Sequence, residues 1–168
     1  MSPYVIRRLT NEDEPFLWEM LYHALYVPEG RDPFPADIVH EPEIERYVLG
    51  WGRRGDQGFA AIERSTSRVV GAVWIRLFTA ESKSYGYLAD DAPELSIALL
   101  PEYRNRGIGT SLLNRLIHET RSHFKALSLS VSTDNPAVRL YTRLGFEVVR
   151  QVGSSLTMKL ELGAIQPH

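Results

Sequence analysis

The clearest pattern of apolar and polar residues lies in the middle of the chain, on either side of a glycine-containing turn. Residues 95–100 form a short apolar run that stops at Pro101, which predicts a buried strand because the run is too short for an isolated helix. Over residues 108–117, apolar residues recur at helical spacing and polar residues take the opposite face. Residues 126–131 alternate apolar and small polar side chains, which predicts a second strand. This order favours a right-handed crossover between parallel strands.

The same patterns predict elements for the rest of the chain. Residues 4–9 can form a strand, and Thr10 or Asn11 can cap a helix with an apolar stripe from Phe16 to Leu25. Three prolines exclude regular structure over residues 27–40, and a short helix is expected from Pro42 to about Leu49. Further strands are expected at residues 58–64, 69–78, 147–152 and 155–162, with residues 163–168 as a frayed tail.

A complete short helix is predicted over residues 135–146. Asn135 stands at the N-cap position, Pro136 at the first helical position and Gly145 at the left-handed stop. Phe146 then opens the next strand.

Composition excludes several classes of protein. The chain has 168 residues, which suit a single domain over residues 1–168, and a formal charge of −2, which gives no basic field for nucleic acid. No apolar stretch is long enough for a membrane span or a signal peptide, so no membrane partner is expected. The lack of cysteine excludes a disulfide framework and a thiolate nucleophile, and fits a cytoplasmic location. The five histidines are scattered without ligand spacing, so no metal is predicted.

The turn at residues 104–109 has the chemistry of an anion-binding site. The first turn of a helix presents backbone N–H groups without intrahelical partners at the positive end of its dipole. Gly107 and Gly109 lack the Cβ atoms that would hold a phosphate away from those groups, and Arg104 and Arg106 add positive charge. A diphosphate fits this arrangement better than a single carboxylate does.

Other interpretations of the glycines can be compared with the sequence. A P-loop would need a lysine, but Thr110 directly follows Gly109. A dinucleotide-binding fingerprint would need a third glycine where Leu112 stands, and an acidic residue at the end of the next strand. Neither pattern is present. A plain tight turn with solvated arginines stays open when the turn is considered alone.

Two motifs together resemble a known superfamily. Arg-x-x-Gly-x-Gly follows the strand, and Asn-Pro-Ala-x-x-x-Tyr-x-x-x-Gly-Phe follows the next one. Over residues 94–146 their sequence and spacing resemble the GNAT superfamily of acetyl-CoA-dependent N-acetyltransferases; elsewhere only the pattern is similar. The resemblance implies an α/β (α+β) fold. Its sheet is mixed but mostly antiparallel, with about seven strands, one parallel pair joined by the crossover helix, and about four helices on both faces.

The resemblance also implies the co-substrate and its contacts. Acetyl-CoA would give its acetyl group to a primary amine, on a small molecule or a peptide, by direct attack in a ternary complex. The strand before the turn would splay from its parallel neighbour and pair with pantetheine, and the Leu99 N–H would polarise the thioester carbonyl. The implied contacts to coenzyme A are Ile97, Ala98, Leu99, Arg104, Asn105, Arg106, Gly107, Ile108, Gly109, Thr110, Asn135, Ala137 and Tyr141.

Amide formation from a thioester needs a group that accepts the amine proton and a group that protonates the departing thiolate. Glu94 is the expected base, since similar acetyltransferases often place a carboxylate there, although Asp90 or Asp91 could substitute. Tyr141 matches the family's general acid. A solvated loop carboxylate and a core tyrosine are the respective structural alternatives.

Two other functions stay open at this stage. One is an acyl-CoA sensor of the same fold without turnover. The other, acetylation of protein N-termini, is weakened because residues 129–133 read Leu-Ser-Val-Ser-Thr where ribosomal-type enzymes usually carry Glu-Val-Arg. The resemblance places a substrate lip at residues 27–40 with Trp51, with a plain surface connection as the alternative. The sequence leaves open the acceptor and the choice between a monomer and a homodimer.

Overall fold

Seven strands form one mixed sheet in the order β1-β2-β3-β4-β5-β7-β6 in the computed structural model, which describes residues 1–163. Only the β4–β5 pair is parallel. This confirms the predicted sheet; of the predicted tail, residues 164–168 lie outside the described residues. The strands are β1 (Tyr4–Arg8), β2 (Gln57–Glu63), β3 (Val69–Arg76), β4 (Glu94–Leu99), β5 (Ala126–Ser132), β6 (Glu147–Val152) and β7 (Ser155–Glu161).

The four α-helices of the described chain lie on both faces of this sheet, as predicted. They are α1 (Glu14–Ala24), α2 (Pro42–Glu45), α3 (Ile108–Thr120) and α4 (Ala137–Arg143). The crossover helix α3 packs on the face that carries Gly71 and Leu99, because a methyl group at Gly71 would lie 2.3 Å from Leu99 Cδ2 and 3.5 Å from Leu112 Cδ1. No helix within residues 1–163 has the length and apolar character needed to cross a membrane.

The opposite face of β3 holds the chain segment that follows α2. The Trp74 indole donates to Tyr47 O at 3.0 Å, and the Arg76 guanidinium donates to Arg46 O and Leu49 O at 3.0 and 2.6 Å. Arg76 also forms a fully buried ion pair with Asp56 at 2.8 Å. The segment that carries Tyr47 is therefore fixed to the sheet by side chains of β3.

Three predictions about the N-terminal half were wrong in detail. Helix α2 ends at Glu45 rather than near Leu49, and the turn that follows it binds β3 side chains through the carbonyl groups of Tyr47 and Leu49. Regular structure is present within residues 27–40, since Ala36–His40 forms a 3₁₀ helix. Trp51 belongs to the core rather than to a substrate lip: it is 8% exposed, and its indole donates to Thr10 O at 3.0 Å.

In the C-terminal half, α4 covers the same face as α3. A methyl group at Gly145 would lie 3.2 Å from Leu160 Cδ1, and Leu160 pairs with Leu127 of β5. Because side chains alternate along a strand, Ser128 and Ser130 point to the other face, where Arg150 donates to Tyr87 O at 3.0 Å. The face opposite α4 is therefore polar.

Candidate active site

Strands β4 and β5 separate immediately after their first residue pair. They are registered at one position, Glu94 with Ser128, whereas β4 stays paired with β3 as far as Leu99 with Gly71. Residues 97–99 therefore have no strand partner on the β5 side. Backbone groups on such an edge can pair with an extended ligand. The predicted splay is present, while the binding role of Ile97, Ala98 and Leu99 stays a prediction.

The predicted anion-binding turn lies at the far end of this gap. Gly107 adopts a left-handed conformation, φ +83°, and α3 begins at Ile108, so the N–H groups of Ile108, Gly109 and Thr110 are those of a first helical turn. A methyl group at Gly107 would meet no atom within 4 Å. The surface of the turn at Gly107 is therefore open, and the first-turn N–H groups that follow it are of the kind that binds an anion.

Both arginines of the turn are exposed and tethered by one hydrogen bond each. Arg104 Nη2 donates to His23 O at 3.3 Å, and Arg106 Nη1 donates to the Tyr4 hydroxyl at 3.3 Å. A guanidinium has five N–H donors, so most donors of both residues stay available to a ligand. Asn105 also has a positive φ, +62°, which completes the tight turn before α3.

Helix α4 has the ends that its sequence predicts. Asn135 Oδ1 accepts the Ala137 N–H at 2.9 Å, as a capping side chain does, and Gly145 has a φ of +104°. A capped helix of only seven residues restricts the position of Tyr141 relative to the sheet.

Tyr141 is enclosed by apolar groups but has a free hydroxyl. The side chain is 7% exposed and its ring meets Phe146 edge-on at 5.9 Å. Burial raises the pKa of Tyr141 to about 12, so the phenol stays protonated at neutral pH. Within residues 1–163 the hydroxyl makes no hydrogen bond, which leaves its proton available to a ligand.

Glu94 is a buried carboxylate held by three donors. It is 4% exposed; Oε1 accepts the Ser84 hydroxyl and the Gly86 N–H, the latter at 2.9 Å, and Oε2 accepts the Tyr47 hydroxyl at 2.7 Å. Burial raises the pKa of Glu94 above its ordinary value, and these hydrogen bonds offset part of the rise. A carboxylate with a raised pKa is a better proton acceptor than a solvated one.

The hydrogen bonds of Glu94 leave one acceptor position. Each carboxylate oxygen has two lone pairs. Oε1 uses both, for Ser84 and Gly86, whereas Oε2 uses one, for Tyr47. Tyr47 is itself held in place, because its hydroxyl accepts the Tyr85 N–H at 3.0 Å. Oε2 is therefore the atom of Glu94 that can take a proton from a ligand.

The other two candidate carboxylates lie on the surface. Asp90 and Asp91 are exposed, and Asp90 Oδ1 accepts the Ala80 N–H at 3.0 Å and the Tyr87 hydroxyl. These bonds hold Asp90 in the exposed loop before β4. Within residues 1–163, no group of three or more His, Cys, Asp or Glu side chains is arranged to hold a metal ion.

Sequence reasoning missed the residues that surround Glu94. Tyr47 lies 47 residues before it in the chain, and Ser84 and Gly86 lie 10 and 8 residues before it. Gly86 alone carried a signal, as a glycine in a loop. The reason for it is close packing, because a methyl group there would lie 2.9 Å from Glu94 Cδ and from the Leu129 carbonyl carbon.

The loop predicted as a substrate lip lies near the start of α4. The Tyr26 hydroxyl donates to Asp134 O at 3.1 Å, and the Tyr22 hydroxyl donates to Phe34 O at 2.7 Å. These bonds bring residues 27–40 beside the segment that leads from β5 into α4. The role of this loop as a lip stays a prediction.

Comparisons with known proteins agree with this geometry. Residues 15–146 match the model of the acetyltransferase (GNAT) family. An uncharacterized N-acetyltransferase of Methanocaldococcus jannaschii is 27% identical over 166 residues, which cover 94% of this chain and 67% of that protein.

Solved structures share the fold. YncA of Salmonella typhimurium, solved with its cofactor acetyl-CoA, has a TM-score of 0.68 at 21% identity, covering 99% of this chain and 98% of that one. The PaiA N-acetyltransferase of Thermoplasma acidophilum, solved with coenzyme A, has a TM-score of 0.64 at 21% identity, covering 96% and 99%.

Proposed function

The chain belongs to the acetyltransferase (GNAT) family, and from this membership we propose that it transfers the acetyl group of acetyl-CoA to a primary amine. The observation that supports the proposal most is the separation of β4 from β5 directly before an open glycine turn. A gap with free backbone edges suits an amide-containing arm, and the turn suits a diphosphate. Coenzyme A carries both groups.

The reaction forms a C–N and an S–H bond and breaks a C–S and an N–H bond. The amine nitrogen attacks the acetyl carbonyl carbon, the C–S bond breaks, the nitrogen loses a proton and the sulfur gains one. A backbone N–H among Ile97, Ala98 and Leu99 would stabilise the negative carbonyl oxygen during the attack. Since the chain has no cysteine, no acetyl-cysteine intermediate forms and transfer is direct.

Glu94 acts as the proton acceptor in this proposal. A primary amine with a pKa of ~10 is mostly protonated at neutral pH, so the neutral fraction binds and a base then removes one N–H proton as the nitrogen attacks. The free lone pair on Oε2 takes that proton, while Ser84, Gly86 and Tyr47 keep the carboxylate in one orientation. Exchange with water then removes the proton from Glu94 and returns one to Tyr141.

Tyr141 protonates the departing sulfur. Helix α4 lies on the face of the sheet opposite Glu94, so acid and base approach the β4–β5 gap from different sides. A free thiol has a pKa of ~8.5, below that of the phenol, but a thiolate leaving into the same apolar surroundings is also disfavoured by desolvation. The hydroxyl therefore stabilises the sulfur first by a hydrogen bond and then by its proton.

The direct test is thiol release from acetyl-CoA over a panel of amines, together with a thermal-shift titration with coenzyme A. We expect coenzyme A to raise Tm and at least one primary amine to give turnover. A raised Tm without turnover of any amine would instead support the acyl-CoA sensor. No thermal shift would contradict the assignment of the gap and the turn as the coenzyme site.

The glycine turn itself can be tested with Gly107→Ala. Its methyl group would meet no protein atom within 4 Å and would project from the turn that we assign to the diphosphate, where it would hold a phosphate away from the N–H groups. Loss of one hydrogen bond to a charged group costs about 1.5–3 kcal/mol, so we expect Kd for coenzyme A to rise about 10- to 100-fold. Isothermal titration calorimetry measures this change.

Gly50→Ala is the matched control. Gly50 also has a left-handed conformation, φ +74°, with no atom within 4 Å of an added methyl group, but it lies between α2 and β2. Both variants should lose a similar amount of stability, about 1–2 kcal/mol, from the strained backbone. Only Gly107→Ala should lose affinity for coenzyme A, and equal affinities in the two variants would contradict the predicted diphosphate site.

A further inference from the structure

Ser128 carries a buried hydroxyl without a hydrogen-bond partner. The residue is 0% exposed, and within residues 1–163 its Oγ is the one side-chain nitrogen or oxygen atom that is itself fully shielded from solvent and bonds to no protein group. Buried polar atoms are almost always paired, because burial without a partner is unfavourable. An unpaired hydroxyl beside a proposed reaction site indicates a partner that comes from outside the chain.

The position of Ser128 is the point where the gap begins. Ser128 is the residue of β5 that pairs with Glu94, and matching residues of a parallel pair lie on the same face of a sheet. The next residue on that face, Ser130, is satisfied, since its hydroxyl bonds to Ser155 at 3.2 Å. The lack of a hydrogen-bond partner is therefore specific to Ser128, beside Glu94, and is not shared by Ser130 of the same strand.

Two free acceptor positions thus lie on one face of the sheet. One is the second lone pair of Glu94 Oε2, and the other is Ser128 Oγ. A neutral primary amine has two N–H groups and one lone pair. If each N–H bonds to one of these oxygens, the lone pair is left to attack the carbonyl carbon.

We infer that Ser128 Oγ accepts one N–H of the attacking primary amine while Glu94 Oε2 accepts the other, an inference that rests on the proposed acetyl transfer. The N–H on Glu94 is the one that is lost, and the N–H on Ser128 is kept in the amide product. Ser128 is then a binding residue that selects primary over secondary amines. A secondary amine leaves the serine hydroxyl unpaired.

The amine reaches both groups when the loop above them moves. Gly86 lies over Glu94 and β5, and its neighbour Tyr85 is 57% exposed. Ser84 and Gly86 attach this loop to Glu94 through hydrogen bonds to a single oxygen atom. This loop must lift to admit the amine and then close again, so that Ser84 and Gly86 hold Oε1 while Oε2 binds the amine.

The test compares wild type with Ser128→Ala, using the best primary amine of the panel and its N-methyl derivative. With the primary amine we expect kcat/KM to fall about 10- to 100-fold in the variant. With the N-methyl derivative we expect little change, because that amine has no second N–H for the serine. Tm should stay equal or rise, because removal of an unpaired buried hydroxyl relieves a cost.

Thr120→Val is the control for loss of a buried hydroxyl elsewhere. Thr120 is 0% exposed and its hydroxyl bonds to Leu116 O at 2.8 Å, at the end of α3, so this variant should lower Tm and leave kinetics unchanged. Unchanged turnover of the primary amine by Ser128→Ala would overturn the inference alone. The inference would also be overturned if Ser128→Ala turned over the N-methyl amine faster and the primary amine at the wild-type rate. That result would show only that removal of the hydroxyl makes room for the methyl group. Absence of turnover by wild type would overturn the proposed function and the inference with it.

Discussion

Replacement of Glu94 by glutamine is expected to lower kcat/KM for the acceptor amine about 10²- to 10⁴-fold, the range for loss of a general base. The amide has the shape of the carboxylate and still accepts a hydrogen bond from Gly86 N–H through its oxygen. Its NH₂ group can donate to the Tyr47 hydroxyl, which already accepts from Tyr85 N–H. The fold is therefore retained while the proton acceptor is lost. Steady-state kinetics and the thermal shift with coenzyme A measure the two effects separately.

Asp90→Asn is the matched control for this variant, because Asp90 is the alternative base and lies in the loop directly before β4. Its carboxylate accepts from Ala80 N–H and the Tyr87 hydroxyl on the surface. We expect this substitution to leave turnover within a few-fold of wild type. A large loss in Asp90→Asn together with an active Glu94→Gln would reverse the assignment of the base.

The raised pKa of Glu94 also gives a signed pH dependence. Burial, the largest cause, raises its pKa above the ordinary value of 4.5. Turnover by wild type should therefore increase as pH rises through the raised pKa, and Glu94→Gln should lack this limb. Because the folded state holds the proton more tightly, stability from this group is complete below 4.5 and declines as pH rises through the raised pKa. Unfolding of both proteins at several pH values should show wild type losing stability relative to Glu94→Gln over that window.

Replacement of Tyr141 by phenylalanine is expected to lower kcat about 10²-fold or more, at the lower end of the range for proton transfer. The edge-on contact with Phe146 is kept, and the lost hydroxyl bonds to no group within residues 1–163. Tm and the affinity for coenzyme A should therefore stay close to those of wild type. A loss confined to kcat identifies a group that acts while the C–S bond breaks.

A structural role for Tyr141 would give a different result. If the residue serves only the core, Tyr141→Phe should retain full turnover, because the two side chains fill nearly the same space. An acyl-CoA sensor would likewise be indifferent to this change and to Glu94→Gln. The two variants therefore also separate the enzyme from the sensor.

Local motifs account for the features that the sequence predicted well. The turn at residues 104–109 and the helix from Asn135 to Gly145 are set by residues within a few positions of one another. Glycines with positive φ and a capping asparagine act through their own backbone, so their effect can be deduced before the fold is known. The order of strands and helices could also be predicted, because it too depends on local sequence patterns.

Long-range contacts account for the rest. The segment after α2 is held by Trp74 and Arg76, which bind the carbonyl groups of Tyr47 and Arg46 from a strand about 30 residues away. The hydrogen bond from Tyr47 to Glu94 spans 47 residues, and the missing partner of Ser128 becomes evident only when β5 is aligned with β4. No local pattern in a single sequence encodes these relations.

The loop at residues 27–40 is fastened independently of the proposed base. Hydrogen bonds from the Tyr22 hydroxyl to Phe34 O and from the Tyr26 hydroxyl to Asp134 O hold this loop. Tyr47, which binds the proposed base Glu94, is held instead by a hydrogen bond from Trp74 of β3. If this loop forms the substrate lip, combinatorial libraries restricted to residues 28–33 would redirect acceptor choice without redesign of the proton-transfer groups. Because the contacts of the loop are separate from those of the proposed base, the two can be engineered one at a time.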